Sequence, residues 1–358
     1  MDRRDFSLAL ANPLDTARGT IERREGILIR IGRGIGEATP LPGWTESLPA
    51  CRRALDAVDA ALDGGGAPVV LNGTDDVPPD PLSGAPDAVT DPLADAPAAR
   101  HAVELAVLDA RSRDTGRSLA ALLAAEPATS VPVNATIGDA SVAETVEAAR
   151  EAVDAGFDCL KMKVGVGDLE RDVARLRAVR AAVGSVDLRA DANGAWDRET
   201  AHEAIDALAG IDLSYLEQPL AAADLAGHAA LRDRGVEVAL DETLAERSPA
   251  AVLAADAADV LVLKPMALGG PARTVRVARD ACAAGVDPVV TTTVDAAIAR
   301  TAAAHAAAAI PAVRACGLAT GDALEADLVP DPIPVAGGRV TVPDGPGTTV
   351  DAVGRLFG

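Results

Sequence analysis

From Val131 onward the chain alternates short apolar runs with alanine-rich stretches, and this rhythm limits its folds more than any other feature. The runs are Val131–Ile137, Cys159–Val164, Val186–Ala190, Leu213–Leu216, Val236–Leu240, Val260–Leu263, Pro288–Val294 and Ala315–Ala319. Between them lie helix-like segments such as Ser141–Ala155, Asp168–Val183, Arg198–Leu208 and Ala272–Ala284. Continuous apolar runs separated by amphipathic helices predict parallel strands buried on both faces, and eight of them predict an α/β barrel. Polar residues closing successive runs fall at 163, 191, 217, 241 and 264, which are 23 to 28 residues apart, about one strand-plus-helix unit.

The chain before Val131 reads differently. Phe6–Leu10 and Glu25–Ile31 predict strands, and Leu48–Leu62, Ala98–Ser112 and Leu119–Leu123 predict helices. Asp75–Pro97 has six prolines and many acids, which predicts a surface excursion without regular structure. Arg339–Val342 predicts a last strand. The expected organisation is an α+β capping domain over 1–128, a barrel over 129–328, and a tail over 329–358 that returns to the first domain.

Composition then narrows the function. A net charge of −21 repels phosphate backbones and disfavours nucleic-acid partners. No apolar run reaches the roughly 18 residues that cross a bilayer, and the first residues lack a signal-peptide core, so a cytoplasmic location is expected. Cys51, Cys159, Cys282 and Cys316 are far apart, as expected of buried thiols in a reducing compartment. High acidity with scarce lysine predicts a protein adapted to high salt. Among 33 basic residues only three are lysine: Lys161, Lys163 and Lys264, each on an apolar segment.

Those lysines carry the chemistry. In Leu160-Lys161-Met162-Lys163, period two places both ammonium groups on one face of a strand, directed into the barrel near its mouth. Mutual repulsion and burial predict a depressed pKa suited to a general base. Asp191, Glu217 and Asp241 each follow a strand, so three carboxylates reach one rim. Oxygen-only ligands select a hard cation, Mg²⁺, with Mn²⁺ as a substitute. Glu242, next to Asp241, is expected to point away. Lys264 closes the next strand and faces the acids from across the barrel. Thr291–Thr293, with Thr292 at its centre, and Gly317–Gly321 offer hydroxyls and amides for a second carboxylate. Gly32-Arg33-Gly34-Ile35-Gly36 looks like a phosphate loop, but no βαβ unit follows and Glu37 replaces the required glycine, so it is read as structural. A base, a cation site and an opposing ammonium together suit proton abstraction α to a carboxylate of a small-molecule substrate.

The ladder Lys161-x-Lys163, Asp191, Glu217, Asp241, Lys264 resembles that of the enolase superfamily, muconate-cycloisomerase subgroup. Pro40–Ser47, Arg189-x-Asp191-x-Asn193-x-x-Trp196, Lys264-Pro265 with Gly269-Gly270, and Gly317–Gly321 are most similar to the o-succinylbenzoate synthase family of menaquinone biosynthesis. The resemblance implies a capping domain on a modified (β/α)₇β barrel and a Mg²⁺-dependent syn dehydration, hence a lyase. It implies Lys163 as base, Lys161 beside it, Lys264 against the enediolate, and Asp191, Glu217 and Asp241 on the metal. Arg189 and Asn193 would support those acids, Pro42 would help close the mouth, and Thr292 would lie where a succinyl tail binds. The same ladder serves N-acylamino-acid racemases, dipeptide epimerases and cycloisomerases, but Ala319-Thr320-Gly321-Asp322 lacks the Asp-x-Asp of the dipeptide enzymes. A non-catalytic scaffold would show a broken ladder, and none of its positions is broken.

Overall fold

The structure, a computed structural model, describes residues 1–16, 19–63, 80–348 and 356–357. Strands β1 (Asp2–Thr16), β2 (Gly19–Ile31) and β3 (Gly34–Ala38) form an antiparallel sheet. Helices α1 (Leu48–Asp63), α2 (Asp87–Thr90), α3 (Pro97–Thr115) and α4 (Leu119–Leu123) follow. Helix α3 lies directly on β3. A Cβ on Gly36 would stand 1.8 Å from the Ala102 carbonyl oxygen, and one on Gly34 equally close to that of Ala106. The glycine-rich run is therefore a contact surface for a helix, as its structural reading expected.

Part of the excursion at Asp75–Pro97 falls outside the described residues, and the rest corrects the expectation. Asp87–Thr90 and Asp91–Leu93 are helical turns, and Leu82, Val89, Leu93 and Ala96 are buried against α1 and α3. Pro92 and Pro97 sit at positions that start helices, where a missing N–H costs nothing.

Then come β4 (Ser130–Pro132) and β5 (Ala135–Ile137), so the predicted first barrel run is split in two. Helix α5 (Val142–Asp154) precedes β6 (Cys159–Lys163), α6 (Leu169–Val183) precedes β7 (Asp187–Asp191), and α7 (Arg198–Leu208) precedes β8 (Tyr215–Glu217). Helix α8 (Leu225–Leu231) leads to β9 (Glu237–Leu240), and α9 (Thr243–Glu246) with α10 (Pro249–Ala254) to β10 (Val260–Leu263). Helices α11 (Pro265–Leu268) and α12 (Pro271–Ala283) precede β11 (Asp287–Val290), which α13 (Ala297–Ala308) follows.

Strands β5 to β11 form one parallel sheet in sequence order, curled so that its ends approach each other. The predicted eighth strand, Ala315–Ala319, is not one. Cys316 and Gly317 instead make single bridges, to Val133 on one side and Thr291 on the other, and so close the ring. The Thr291 hydroxyl donates to the Gly317 carbonyl at 3.0 Å, taking an acceptor that a strand ladder would use. The tail contributes β12 (Val335–Ala336) and β13 (Arg339–Thr341), and β13 pairs with β4. Further on, the Thr348 amide donates to Asp109 in α3.

Helix α13 is buried along its whole length. Ile298, Ala299 and Ala302 pack against the N-terminal sheet and its helices, while Ala303, Ala304 and Ala307 pack into the barrel core. No helix among the described residues is long and apolar enough to cross a membrane.

Candidate active site

Register explains how the barrel assembles its charged mouth. Lys163 pairs with Asp191 and Asp191 with Glu217 across β6, β7 and β8, so alternate side chains of one row enter the barrel together. The row behind it holds Lys161, Arg189 and Tyr215. Asp241 and Lys264 follow β9 and β10 at the same end. A cavity of about 800 Å³ opens there, and all three lysines of the chain line it.

The charges are tightly paired. Lys161 Nζ lies 3.0 Å from both Asp191 and Glu217, Lys163 Nζ 2.8 Å from Asp191, and Lys264 Nζ 2.6 Å from Asp241. Burial works against the charge on Lys161, but Asp191 and Glu217 outweigh it and hold the ammonium well above the ordinary lysine range. This corrects the expected depression of Lys161: nearby carboxylates dominate over the second lysine. Burial also opposes ionisation of Asp191, yet the two lysines keep it below the usual carboxylate range. Burial, with Asp191 close by, pushes Glu217 up to about 7. Burial raises Asp241 to about 6, with Lys264 opposing.

Asn193, with a left-handed φ of 45°, joins this network. Its Oδ1 accepts from Lys163 Nζ at 2.6 Å, its backbone N–H donates to Asp191, and its Nδ2 donates to Glu242 at 2.9 Å. Glu242 therefore turns toward the mouth, not away from it as expected. Gln218, which sequence reasoning passed over, accepts from the backbone N–H of Asp241 and of Thr243 through one oxygen and so fixes where Asp241 leaves its strand. Its left-handed φ of 42° leaves no signature in an isolated sequence.

Arg189 stands one row deeper than the acids. It donates to the Tyr215 hydroxyl at 3.1 Å, the Ala315 carbonyl at 2.7 Å and Asp187 at 3.1 Å, and it lies over the Tyr215 ring. It braces the barrel interior and the closing segment. Thr292 lines the cavity, with its hydroxyl 3.0 Å from that of Thr320. Pro42 is exposed at the cavity, in a turn where the amides of Trp44 and Thr45 both donate to the Leu41 carbonyl. That turn carries Trp44, which the sequence reading included in Pro40–Ser47 without a role, and its ring centroid lies 3.3 Å from Lys264 Nζ. Among the described residues no trio of acidic, histidine or cysteine side chains forms a ready-made metal cage, because Asp191, Glu217 and Asp241 are turned onto the lysines. Still, Glu217 Oε2 and Asp241 Oδ1 are buried without a hydrogen-bond partner among the described residues. Uncompensated hard oxygens beside a third carboxylate fit a divalent cation.

An o-succinylbenzoate synthase from Thermobifida fusca (strain YX) is 40% identical over 213 residues, which span 58% of this chain and 65% of that protein. The chloromuconate cycloisomerase CbnB of Cupriavidus necator is 27% identical over 95% of this chain and 92% of its own length. The structure of a dipeptide epimerase from Enterococcus faecalis V583, complexed with Mg and the dipeptide L-Leu-L-Tyr, superposes with a TM-score of 0.81 at 26% identity, covering 97% of each chain. Residues 144–353, more than half of the chain, match the family model described as Enolase C-terminal domain-like. With that match on a curled parallel barrel of this form, the chain belongs to the Enolase C-terminal domain-like family, within the enolase superfamily.

Proposed function

We propose that this protein is an o-succinylbenzoate synthase, dehydrating 2-succinyl-6-hydroxy-2,4-cyclohexadiene-1-carboxylate to 2-succinylbenzoate in menaquinone biosynthesis. The observation that carries the reading is the unequal setting of the lysines on the two sides of the mouth. Lys264 is pressed between Asp241 and the face of Trp44, and both contacts favour a cation. Lys163 is the most open of the three, with 32% of its side chain exposed. A racemase needs a base on each side of the reacting carbon, whereas a syn dehydration needs only one. In this scheme Lys163 takes the proton from C1, the C1–C6 double bond forms as the C6 hydroxyl departs, and Lys163 returns the proton to it as water. Lys161 and Lys264 face the electron-rich enediolate that forms between these steps.

Six carboxylates, Asp139, Asp191, Glu217, Asp241, Glu242 and Glu246, line the cavity against three ammonium groups, so an anionic substrate needs further positive charge to enter. Asp191, Glu217 and Asp241 are the residues that would hold Mg²⁺, which when bound supplies Lewis-acid stabilisation of the substrate carboxylate. Asn193 keeps Asp191 and Lys163 in place, and the turn bearing Pro42 and Trp44 excludes water. Residues 1–128 would act as the cap and 129–328 as the catalytic barrel, while the tail from 329 divides between them, β13 pairing with β4 and Thr348 reaching α3.

The direct test is to add the cyclohexadiene substrate and Mg²⁺ to the purified protein and follow the loss of its ultraviolet band. Turnover is expected, with Lys163→Arg slower by roughly 10³-fold because charge survives but proton transfer does not. No turnover, together with α-proton exchange into an N-succinyl amino acid, would replace this reading with a racemase.

A further inference from the structure

Arg24 lies on β2, far in sequence from the catalytic ladder, and is 2% exposed. Its guanidinium donates to three main-chain carbonyls: Thr39 at 2.8 Å, Pro40 at 3.1 Å and Val294 at 3.2 Å. The first two lead into the turn that carries Trp44 over Lys264. The third belongs to a residue 270 positions away, just beyond the threonines that also line the cavity. Val294 has a φ of 58°, a left-handed conformation that a β-branched residue adopts only under constraint. Its backbone N–H donates to the Thr292 hydroxyl, so the strained residue and the cavity wall are one unit.

Only arginine offers enough donors in a rigid fork to hold three carbonyls at once. Burying a guanidinium among neutral oxygens is costly, and Asp295 and Glu37 oppose that cost only in part, so burial still holds Arg24 below the ordinary arginine range. Glu37 in turn accepts from the amides of Ala296 and Ala299, both at 2.9 Å, and so pins the first turn of α13 immediately after Val294. The segment leading into the Trp44 turn and the segment that follows the threonines thus share a single buried anchor.

We propose that Arg24 is a positioning residue that holds the Leu41–Thr45 turn and Val294 in register. It thereby sets affinity for the part of the substrate remote from the reacting carbon. The kinetic arm of this proposal rests on the reaction assigned above, and its structural arm does not.

The test compares Arg24→Met and Arg24→Lys with the wild type in the presence of Mg²⁺. For Arg24→Met, affinity for 2-succinylbenzoate measured by calorimetry should fall about tenfold, and that for benzoate, which lacks the tail, by no more than about twofold. KM should rise about tenfold while kcat falls no more than about threefold, with Arg24→Lys between the two. Amide hydrogen exchange should quicken at 41–45 and 293–296 and stay unchanged in the barrel strands. Equal losses for both ligands, a fall in kcat at constant KM, or unaltered exchange would each overturn the proposal. Should Arg24→Met fail to fold, Arg24→Lys decides by the same readings. If the wild type neither binds 2-succinylbenzoate nor turns over the cyclohexadiene, the reaction assignment fails, and hydrogen exchange still decides whether Arg24 is the anchor.

Discussion

His305 is fully buried in α13, with Nδ1 accepting from the Ala120 amide at 3.3 Å and Nε2 without a partner. That bond assigns a neutral ring with its proton on Nε2. Burial pushes its pKa down to about 4 from the usual 6.5. In the unfolded chain the ring takes up a proton below about 6.5, whereas the folded protein resists until about 4. The stability His305 contributes is therefore complete above pH 6.5 and is lost as pH falls toward 4, a swing on the order of 3 kcal/mol. Urea titrations of wild type and His305→Gln across that interval check this, the expected result being a shallower acid loss in the variant. Equal slopes would show that His305 does not govern the acid limb. At this scale the ladder was legible because period-two alternation and strand-end spacing are local rules: Lys161, Lys163, Asp191, Glu217, Asp241 and Lys264 meet at the mouth. Arg24, Trp44 and Gln218 were not legible. Each acts on a group brought close by the fold, and a local pattern carries no record of that partner.

Among the elements, helices α5, α6, α7 and α12 and seven of the strands follow from periodicity, and the departures have physical causes. Gly317 lies where the closing segment passes Thr291 too closely for a side chain, since a Cβ there would stand 2.3 Å from the threonine oxygen. Ala315–Ala319 thus has strand composition without room for a strand ladder. Prolines that mark loops in isolation serve at Pro92 and Pro97 as helix starts. The β3–α3 contact gives a direct test. Gly36→Ala places a methyl against the backbone of Ala102, which cannot rotate away, so a loss of roughly 1–3 kcal/mol is expected from thermal or urea unfolding. An unchanged midpoint would mean that α3 can shift off the sheet without cost.

For the whole molecule, 54 acidic residues against 33 basic ones leave a surface that repels itself when counterions are scarce. We propose adaptation to high salt on this ground. The melting midpoint should rise by roughly 5 °C or more between about 0.1 and 1 M KCl, as the screening length contracts from about 10 Å to 3 Å. Activity and circular dichroism undiminished in dilute buffer would refute it. The charge balance was legible from composition, but composition could not show how the two halves of the chain are joined. Helix α13 supplies that answer. It is dry on every side, one flank seated in the N-terminal layers and the other in the ring of strands. Its alanines make it a shared keel, thin enough for both hulls to rest on, and neither hull keeps its own planking if the other is taken away.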